Sequence, residues 1–332
     1  MFQVNYNIVI GKNTYALENQ TQLVDLQVKA SLDVPVNVCR LVFAAPRELE
    51  IAVDDSVAVE LGYGDELALI FRGIIHSVEW SIDRVTIHAL SAFTSLTAAR
   101  FNRVYEKSNV GDIVKDVMKK LKLSCEKVES GIQFAVYALG ENQTAYAHLQ
   151  NLARQCGFDF YANSSDKAVF AQYNPETTHE FNYGMNILTF DLNEQTVPVT
   201  GVEVYGESPA SSSQGAEASS WLTKTDVKGT AGTTSGIVVR VFDPTARTQN
   251  NASEIAKATL AAYGQKQQGM MKVLGEPKVK LGEAVKVYNM PSEHLNGTFK
   301  VTGIAHSLNP KKGFFTVVYW EKRHDLFAQI QD

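Results

Sequence analysis

Two short segments of this chain carry a histidine at the same place in almost the same sequence: residues 73–78 read GIIHSV and residues 303–308 read GIAHSL. Histidine titrates near neutral pH and is a common general acid, general base and metal ligand. The repeat could therefore mean one histidine chemistry used twice, or one structural unit built twice. A histidine between two aliphatic residues of a strand is more often a core or wall residue, so we predict that His76 and His306 are architectural.

Other motifs that could do chemistry are incomplete. GESPA at 206–210 starts like a GxSxG nucleophile elbow but ends in Ala, and no helix is predicted after it. GYGDEL at 62–67 has two of the glycines of GxGxxG but leads into a strand pattern, so we predict a hairpin turn. The pairs HE at 179–180 and HD within KRHD at 322–325 lack a second ligand at a suitable spacing. We therefore predict no catalytic, cofactor-binding or metal-binding residues, no cofactor, and no enzymatic activity.

Composition and charge indicate a folded protein without a nucleic-acid surface. The chain has 332 residues, enough for two or three domains, with 45% apolar and 20% charged residues. Its net charge is −5 and its basic residues are scattered, so we expect no sequence-specific nucleic-acid binding. Cys39, Cys125 and Cys156 form no CxxC pattern and are expected to be reduced thiols. Without a signal-peptide pattern or a run of about 18 apolar residues, we expect synthesis in the cytoplasm and no stable membrane insertion.

The elements that would position these residues are mostly strands. Alternating apolar positions over about the first hundred residues predict six or so short strands, typical of a barrel or a sandwich. Residues 108–123 and 141–157 instead carry apolar residues at helical spacing, with Ser108 as the expected N-cap and Gly157 as the expected end of the second helix. The strand pattern then resumes. Residues 207–236, rich in Ser, Gly, Thr and Ala, are expected to form a mobile loop or a segment that contacts a partner.

The similarity extends beyond the two hexapeptides. DSVAV at 55–59 matches EAVKV at 283–287, and FRGIIHSVEW and RVTIHAL match TGIAHSLNP and FFTVVYW in the same order. We therefore predict two copies of one β unit with the helical segment between them. Gly73 and Gly303 are expected to mark a bend or bulge. Because side chains alternate along a strand, each copy should present one face made of three residues. These residues are Ile74, His76 and Val78 in the first copy, and Ile304, His306 and Leu308 in the second.

Four segments resemble a known family in order and spacing. They are VGDIVKDVMKKLKL, ENQTAYAHLQNLARQCGFDFYANSSDKAVF, GVEVYGES, and EPKVKLGEAVKVYNMPSEHLNGTFKVTGIAHSLNPKKGFFTVV. Together they resemble the late control protein D family of contractile-tailed bacteriophages. That family is the tail or baseplate hub, and it is similar to the first part of the type VI secretion spike protein and to hubs of phage-derived injection particles. The resemblance covers most of the chain from about residue 100 onward and is looser before it.

The resemblance implies a mainly β fold with an α+β insertion, in which two similar antiparallel β-barrel tube domains flank a helical or mixed segment. The expected domains are a first barrel at 1–100, an α+β middle domain at 101–190, and a second barrel at 191–332 that contains the loop at 207–236. A homotrimer is also implied, in which three chains present six barrels and join a six-fold tail tube to a three-fold spike around a central channel. Burial of His76 and His306 in the barrel walls and exposure to that channel are both open at this stage.

The implied partners are further copies of the chain, a tail tube protein above, a separate spike protein below, and other baseplate proteins such as the wedge and the tape measure. The spike is expected to be separate because no OB-fold, β-helix or lysozyme region follows before Asp332. The implied location is the tail baseplate of a virion or phage-like particle. The alternative is a hub-associated cell-wall (peptidoglycan) hydrolase using two carboxylates about 5 to 9 Å apart, although the sequence nominates no pair. Clearing of peptidoglycan by the purified chain would favour that alternative.

Overall fold

The fold is mainly β, as the sequence predicts, with four helices in the part of the chain that the structure describes. Antiparallel strand pairs predominate, and the buried apolar residues form three separate cores. The structure is a computed structural model, and it describes residues 3–17, 23–44, 49–196, 198–206, 227–233, 235–264 and 266–323.

The N-terminal part of the chain forms seven strands. They are β1 (Val4–Ile10), β2 (Asn13–Ala16), β3 (Leu23–Ser31), β4 (Val38–Ala44), β5 (Ser56–Tyr63), β6 (Glu66–Trp80) and β7 (Arg84–Leu90). They pair antiparallel in the order β3-β4-β7-β6-β5-β1-β2. Alternate side chains of β1 and β5 enter one apolar core, because successive residues of a strand point to opposite faces. The predicted hairpin turn joins β5 to β6, where Tyr63 pairs with Glu66 and Gly64 has a φ of +57°.

Both predicted helices form in the middle segment. Its elements are α1 (Thr94–Ala98), β8 (Arg103–Asn109), α2 (Val110–Lys120), β9 (Ser124–Val128), β10 (Gln133–Leu139), α3 (Ala145–Cys156), β11 (Asp159–Ala162) and β12 (Lys167–Ala171). The N-cap of α2 is Asn109 and not the expected Ser108, since the Asn109 side chain accepts the N–H of Asp112 at 2.9 Å. α3 ends as predicted at Gly157, whose φ of +69° is left-handed.

A second group of elements packs against the same core as α2 and α3. It consists of β15 (Val199–Tyr205), β16 (Lys228–Gly232), β17 (Ile237–Phe242) and α4 (Gln249–Tyr263), and two strands described below, β13 (Thr178–Asn182) and β14 (Ile187–Gln195), precede it in the chain. Val204 and Ile255 lie in one apolar cluster with Leu152 of α3. This packing differs from the predicted start of the second barrel at residue 191, because residues 199–263 complete the core of the middle segment.

The segment predicted as a loop at 207–236 is partly a strand. β16 lies within it and pairs antiparallel with β15, while residues 207–226 lie outside the described residues. The sequence of β16, KGTAG, lacks the large apolar residues by which a strand is recognised. Small residues are required there because a Cβ on Gly229 would collide with the backbone of Ala252 in α4.

The remaining strands form the C-terminal part of the main sheet. They are β13 (Thr178–Asn182), β14 (Ile187–Gln195), β18 (Lys266–Leu274), β19 (Ala284–Tyr288), β20 (Gly297–Asn309) and β21 (Gly313–Arg323). They pair in the order β14-β18-β21-β20-β19-β13, antiparallel throughout except for the parallel pair β13 and β19. Their core centres on Trp320, which is 1% exposed and lies 4.1 Å from Phe299 and 5.2 Å from Phe190 between ring centroids.

The strand order of the N-terminal sheet is repeated in the C-terminal one. The order β3-β4-β7-β6-β5-β1 corresponds, strand by strand, to β14-β18-β21-β20-β19-β13. We call these sets the first unit and the second unit. The repeat predicted from the sequence is thus present in the topology. The two units differ in one pairing: β1 runs antiparallel to β5, whereas β13 runs parallel to β19.

The two units are joined edge to edge. The first half of β20 pairs with β19, and its second half pairs with β21 on one side and with β3 on the other. Leu308 and Phe314, at the tip of the β20–β21 hairpin, enter the core of the first unit. The Tyr63 hydroxyl also donates to the Gly275 carbonyl at 3.0 Å. We call this contact of β3 with β20 the internal joint, and it makes the two units one continuous sheet.

Candidate functional site

β-Bulges show how the two units correspond residue by residue. One bulge interrupts the β6–β7 pairing at His76, and another interrupts the β20–β21 pairing at Thr302. A second pair of bulges lies at Val24 in β3 and at Leu188 in β14. Because the bulged strands hold the same places in the two units, His76 corresponds to Thr302 and Val24 corresponds to Leu188.

The turns before β5 and β19 give the same correspondence. Asp54 and Gly282 both have a positive φ, of +72° and +75°. The N–H of Asp54 donates to the carbonyl of Ile75, and that of Gly282 donates to the carbonyl of Val301. Each acceptor immediately precedes the bulged residue of its strand, so the two turns fix the same register as the bulges.

The predicted alignment of the two histidines is therefore wrong. The structure matches residues 73–78 with residues 299–304, four positions earlier than the similarity of GIIHSV and GIAHSL suggests. His76 takes the place of Thr302, and Trp80 takes the place of His306. The sequence similarity between the hexapeptides does not reflect structural equivalence.

The predicted common face is present in the second unit but not in the first. In the first unit Ile74 and His76 point to solvent, and the bulge at His76 returns Val78 to the side of the core. An alternating pattern cannot reveal a bulge, which changes the face of every residue after it. In the second unit the bulge precedes the three predicted residues, and all are buried: Ile304, His306 and Leu308.

The two glycines also differ in role. Gly303 directly follows the bulged Thr302, as expected for a glycine that marks a bulge. Gly73 lies within regular β5–β6 pairing, where a Cβ would collide with the carbonyl oxygen of Leu90 in β7. Close approach of a neighbouring strand, and not a bulge, therefore requires glycine at position 73.

His306 is a buried structural histidine. Its ring is 4% exposed, and its Nδ1 lies 3.0 Å from the hydroxyl oxygen of Thr316. Burial lowers the pKa of His306 to about 4, since desolvation disfavours the charged ring. The His306 ring is neutral at pH 7 and is packed in the interior of the fold, whereas His76 is exposed.

We expect His306 to make the fold less stable in mild acid. Its folded pKa of about 4 lies below the ordinary value of 6.5, so in the window between them the unfolded chain binds the proton and the folded chain does not. The free energy of unfolding is therefore unaffected by His306 above the ordinary pKa of 6.5. It falls as the pH is lowered toward the folded pKa of about 4, by up to about 3 kcal/mol. Urea unfolding of the wild type and of His306→Gln at both ends of this window measures the difference.

The matched control for this prediction is His76→Gln, which removes an exposed ring. We expect it to retain the pH dependence of the wild type, because it leaves the buried His306 ring unchanged. An unchanged pH dependence in His306→Gln would contradict the prediction.

The described residues contain no group of three or more His, Cys, Asp or Glu side chains placed to hold a metal ion. His179, from the HE pair, has its Nε2 2.7 Å from a Glu283 carboxylate oxygen and so connects β13 to the turn before β19. His324 and Asp325 of KRHD lie outside the described residues, as does Ser208 of GESPA. The absence of site residues therefore stays a prediction.

A charged cluster centres on Glu203 in β15. Its carboxylate accepts hydrogen bonds from Lys228 Nζ at 2.7 Å, from Arg240 Nε at 3.0 Å and from the Tyr205 hydroxyl at 2.9 Å. These bonds, that of Lys228 first, lower the pKa of Glu203 to about 2. A carboxylate held ionised by cations from the two flanking strands has no proton to donate at neutral pH. The cluster ties the strands β16, β15 and β17 together.

A cleft of about 1810 Å³ lies between β3, the second unit and the helices α3 and α4. On its wall, Lys300 Nζ lies 2.6 Å from an Asp159 oxygen and 3.8 Å from a Glu321 oxygen. Asp159 belongs to the middle segment, and the other two residues belong to the second unit. The ion pairs therefore connect these two parts of the fold.

Several strands have one unpaired side within the described residues, and two of these edges lie at corresponding places in the two units. β14 pairs with β18 along one side, and its other side carries only an isolated bridge between Tyr183 and Ile187. The second half of β6 pairs only with β7. Trp80, the last residue of β6, is 58% exposed, and Ile82, in the turn that follows, is 101% exposed. Open edges with large exposed apolar side chains are typical of protein contact surfaces, so we consider β14 (the β14 edge) and residues 77–82 (the β6 edge) the candidate site.

A protein-family model described as Alg8 N-terminal domain matches residues 37–310. The chain belongs to this family. The Alg8 N-terminal domain model covers the whole middle segment and parts of both units. No curated protein matches the chain.

Solved structures with the same fold come from phage tails and from a secretion system. The 43 kDa tail protein of prophage MuSo2 from Shewanella oneidensis has a TM-score of 0.69 at 12% identity, over 96% of this chain and 98% of that chain. A tail protein from Neisseria meningitidis MC58 has a TM-score of 0.70 at 14% identity, over 97% of both chains. A component of the type VI secretion system of E. coli, itself similar to T4 bacteriophage tail proteins, has a TM-score of 0.61 at 10% identity, over 96% of this chain and 77% of that chain.

At these identities the similarity shows that this member of the Alg8 N-terminal domain family has the fold of those tail proteins. The described helices include none that is long and apolar enough to cross a membrane. Sequence reasoning missed the candidate site, although Ser81, Asp83 and Arg84 follow Trp80 closely and a large apolar residue such as Ile82 is unusual among such polar neighbours.

Proposed function

We propose that the chain is a structural hub of a contractile phage tail or of a phage-like injection particle. In this role three copies form a trimer whose six β units adapt a six-fold tail tube to a three-fold spike around a central channel. The chain is a non-enzymatic assembly protein of the kind that the late control protein D family represents.

The observation that carries this proposal is the repeat of one six-stranded unit within one chain. Three chains with two units each provide six similar surfaces to a six-fold tube, while the chain itself repeats three times to match a three-fold spike. The internal joint supports the same arrangement, because it already sets two units edge to edge. The fold shared with phage tail proteins and with a type VI secretion component supports the setting.

The proposed partners follow from the two symmetries. Further copies of the chain complete the ring, a tail tube protein binds its six-fold side, and a separate spike protein binds its three-fold side. Other baseplate proteins, such as the wedge and the tape measure, contact the outside and the channel. The proposed location is the tail baseplate of the virion or particle.

Oligomeric state and shape test the proposal directly. Light scattering of the purified chain at micromolar concentration is expected to give a mass equal to three chains. If the trimer forms only with the tail tube protein, the complex should contain three copies of the chain. Electron microscopy is then expected to show a ring with six lobes and a central opening. The tube protein without the chain is the control for rings that the tube forms by itself. A stable monomer that forms no ring even with the tube protein would overturn the proposal.

A further inference from the structure

We infer that the β14 edge of one copy pairs antiparallel with the β6 edge of the next copy, in the register of the internal joint. This inference rests on the proposed function, since it names the partner surface within the proposed trimer. The partner is a second copy of this chain.

The internal joint supplies the geometry of the contact. β3 pairs antiparallel with the second half of β20, so that His306 lies opposite Val28 and Leu308 lies opposite Leu26. All four residues are buried. Leu308 belongs to the core of the first unit, although β20 is a strand of the second. The joint therefore buries side chains of one unit in the core of the other.

β14 takes the place of β3 in the second unit. Counting from the bulge in each strand, Phe190 corresponds to Leu26 and Leu192 corresponds to Val28. Each of these residues packs against the core of its own unit. The two residues of β14 are only partly buried, whereas those of β3 are fully buried beside β20. The β14 edge thus has the form of β3 without its partner strand.

The β6 edge takes the place of the second half of β20. Counting from the bulge in each strand, Trp80 corresponds to His306 and Ile82 corresponds to Leu308. The two residues of β20 are buried by the internal joint, but Trp80 and Ile82 are exposed to solvent. A single copy therefore holds two large apolar side chains in water at the positions that the internal joint covers.

The register of the internal joint can be transferred to the two open edges. It sets Trp80 opposite Leu192 of the next copy and Ile82 opposite Phe190 of the next copy. The tip of the β6–β7 hairpin then enters the core of the neighbouring second unit, as the β20–β21 tip enters the first. The contact is heterologous, since each copy offers one edge of each kind, and repetition of one rotation closes it into a ring.

A disulfide across the proposed contact tests this pairing. Glu79 and Asn193 are exposed and would face each other across two copies, in the places that Ala305 and Lys29 hold in the internal joint. The double variant Glu79→Cys, Asn193→Cys, in a Cys125→Ser background, is expected to give covalent dimers and trimers on mild oxidation. Their yield on a non-reducing gel should exceed that of either single variant by about tenfold or more, because only directly opposed cysteines are within disulfide range.

Two further pairs are the controls. Lys29→Cys with Ala305→Cys should form the bond within one chain, without a higher mass. Glu79→Cys with Gln195→Cys shifts the register by two residues and should cross-link about tenfold less. If the chain is trimeric by light scattering but Glu79→Cys, Asn193→Cys gives no more cross-linking than the shifted pair, the inference is wrong and the hub proposal stands, with another protein left to cover these edges. A chain that stays monomeric with its tube protein overturns both.

Discussion

Replacing Trp80 and Ile82 together by glutamate is expected to convert the assembled protein into monomers that are as stable as the unassembled wild type. Both side chains are exposed in a single copy, so the change costs little there. In the assembly each carboxylate would be buried against Leu192 or Phe190 of the next copy without a partner charge. Since an uncompensated buried charge costs about 3 to 5 kcal/mol, the dissociation constant should rise by at least about a hundredfold. Sedimentation over a range of concentrations measures it.

Val104→Glu is the matched control for this substitution. Val104 lies on β8 and is 57% exposed, much like Trp80, but it belongs neither to the β14 edge nor to the β6 edge. We expect this variant to assemble as the wild type does. Assembly that survives the double substitution, or that Val104→Glu abolishes equally, would contradict the proposed contact.

Replacing Trp320 by alanine is expected to lower the free energy of unfolding by about 3 to 5 kcal/mol, because it leaves a large cavity in a packed core. Trp320 is 1% exposed, and its indole stacks on Phe190 and contacts Phe299. Urea unfolding at neutral pH measures the loss. Both proteins carry Trp80→Glu and Ile82→Glu, so that they are monomeric and assembly does not contribute to the measured stability.

Two tryptophan variants serve as controls for the size of this effect. At a concentration low enough to keep both proteins monomeric, Trp80→Ala should stay within about 0.5 kcal/mol of the wild type, because its side chain is already in water. Trp320→Phe should cost much less than Trp320→Ala, because the ring is kept and the indole Nε1, which finds no hydrogen-bond partner among the described residues, is removed. Equal losses for Trp80→Ala and Trp320→Ala would contradict the assigned core.

The sequence predicts the elements of this fold better than their packing. α2 and α3 follow from apolar residues at helical spacing, and Gly157 ends α3 where expected. The strands of the first unit follow from alternation and turn residues, as do β14, β19, β20 and β21 of the second unit, whereas β13 and β18 do not. The packing of residues 199–263 does not follow, because a strand such as β15 has the same pattern whichever core it enters. That choice depends on contacts between distant parts of the chain, which no local period records.

The correspondence between the two edges of the candidate site could not be predicted from the sequence, for a related reason. The similarity of the segments at 73–78 and 303–308 predicts a repeat, and the repeat is present, but the bulges at His76 and Thr302 set its register four residues away. A bulge is a property of strand pairing and has no reliable sequence signature. The sequence therefore does not show that Trp80 takes the place of the buried His306, and this correspondence gives the exposure of Trp80 its meaning.

The bulge at Leu188 limits what the open β14 edge can accept. A long regular edge would act as a template for any extended segment, and stacked copies could then aggregate without end. The bulge twists the start of β14 and interrupts its regular pairing, and the exposed Asp191 and Glu194 add negative charge along the rest. In the proposed ring, this edge would favour its matching β6 edge over other extended segments, and growth would stop once every β14 edge is paired with a β6 edge.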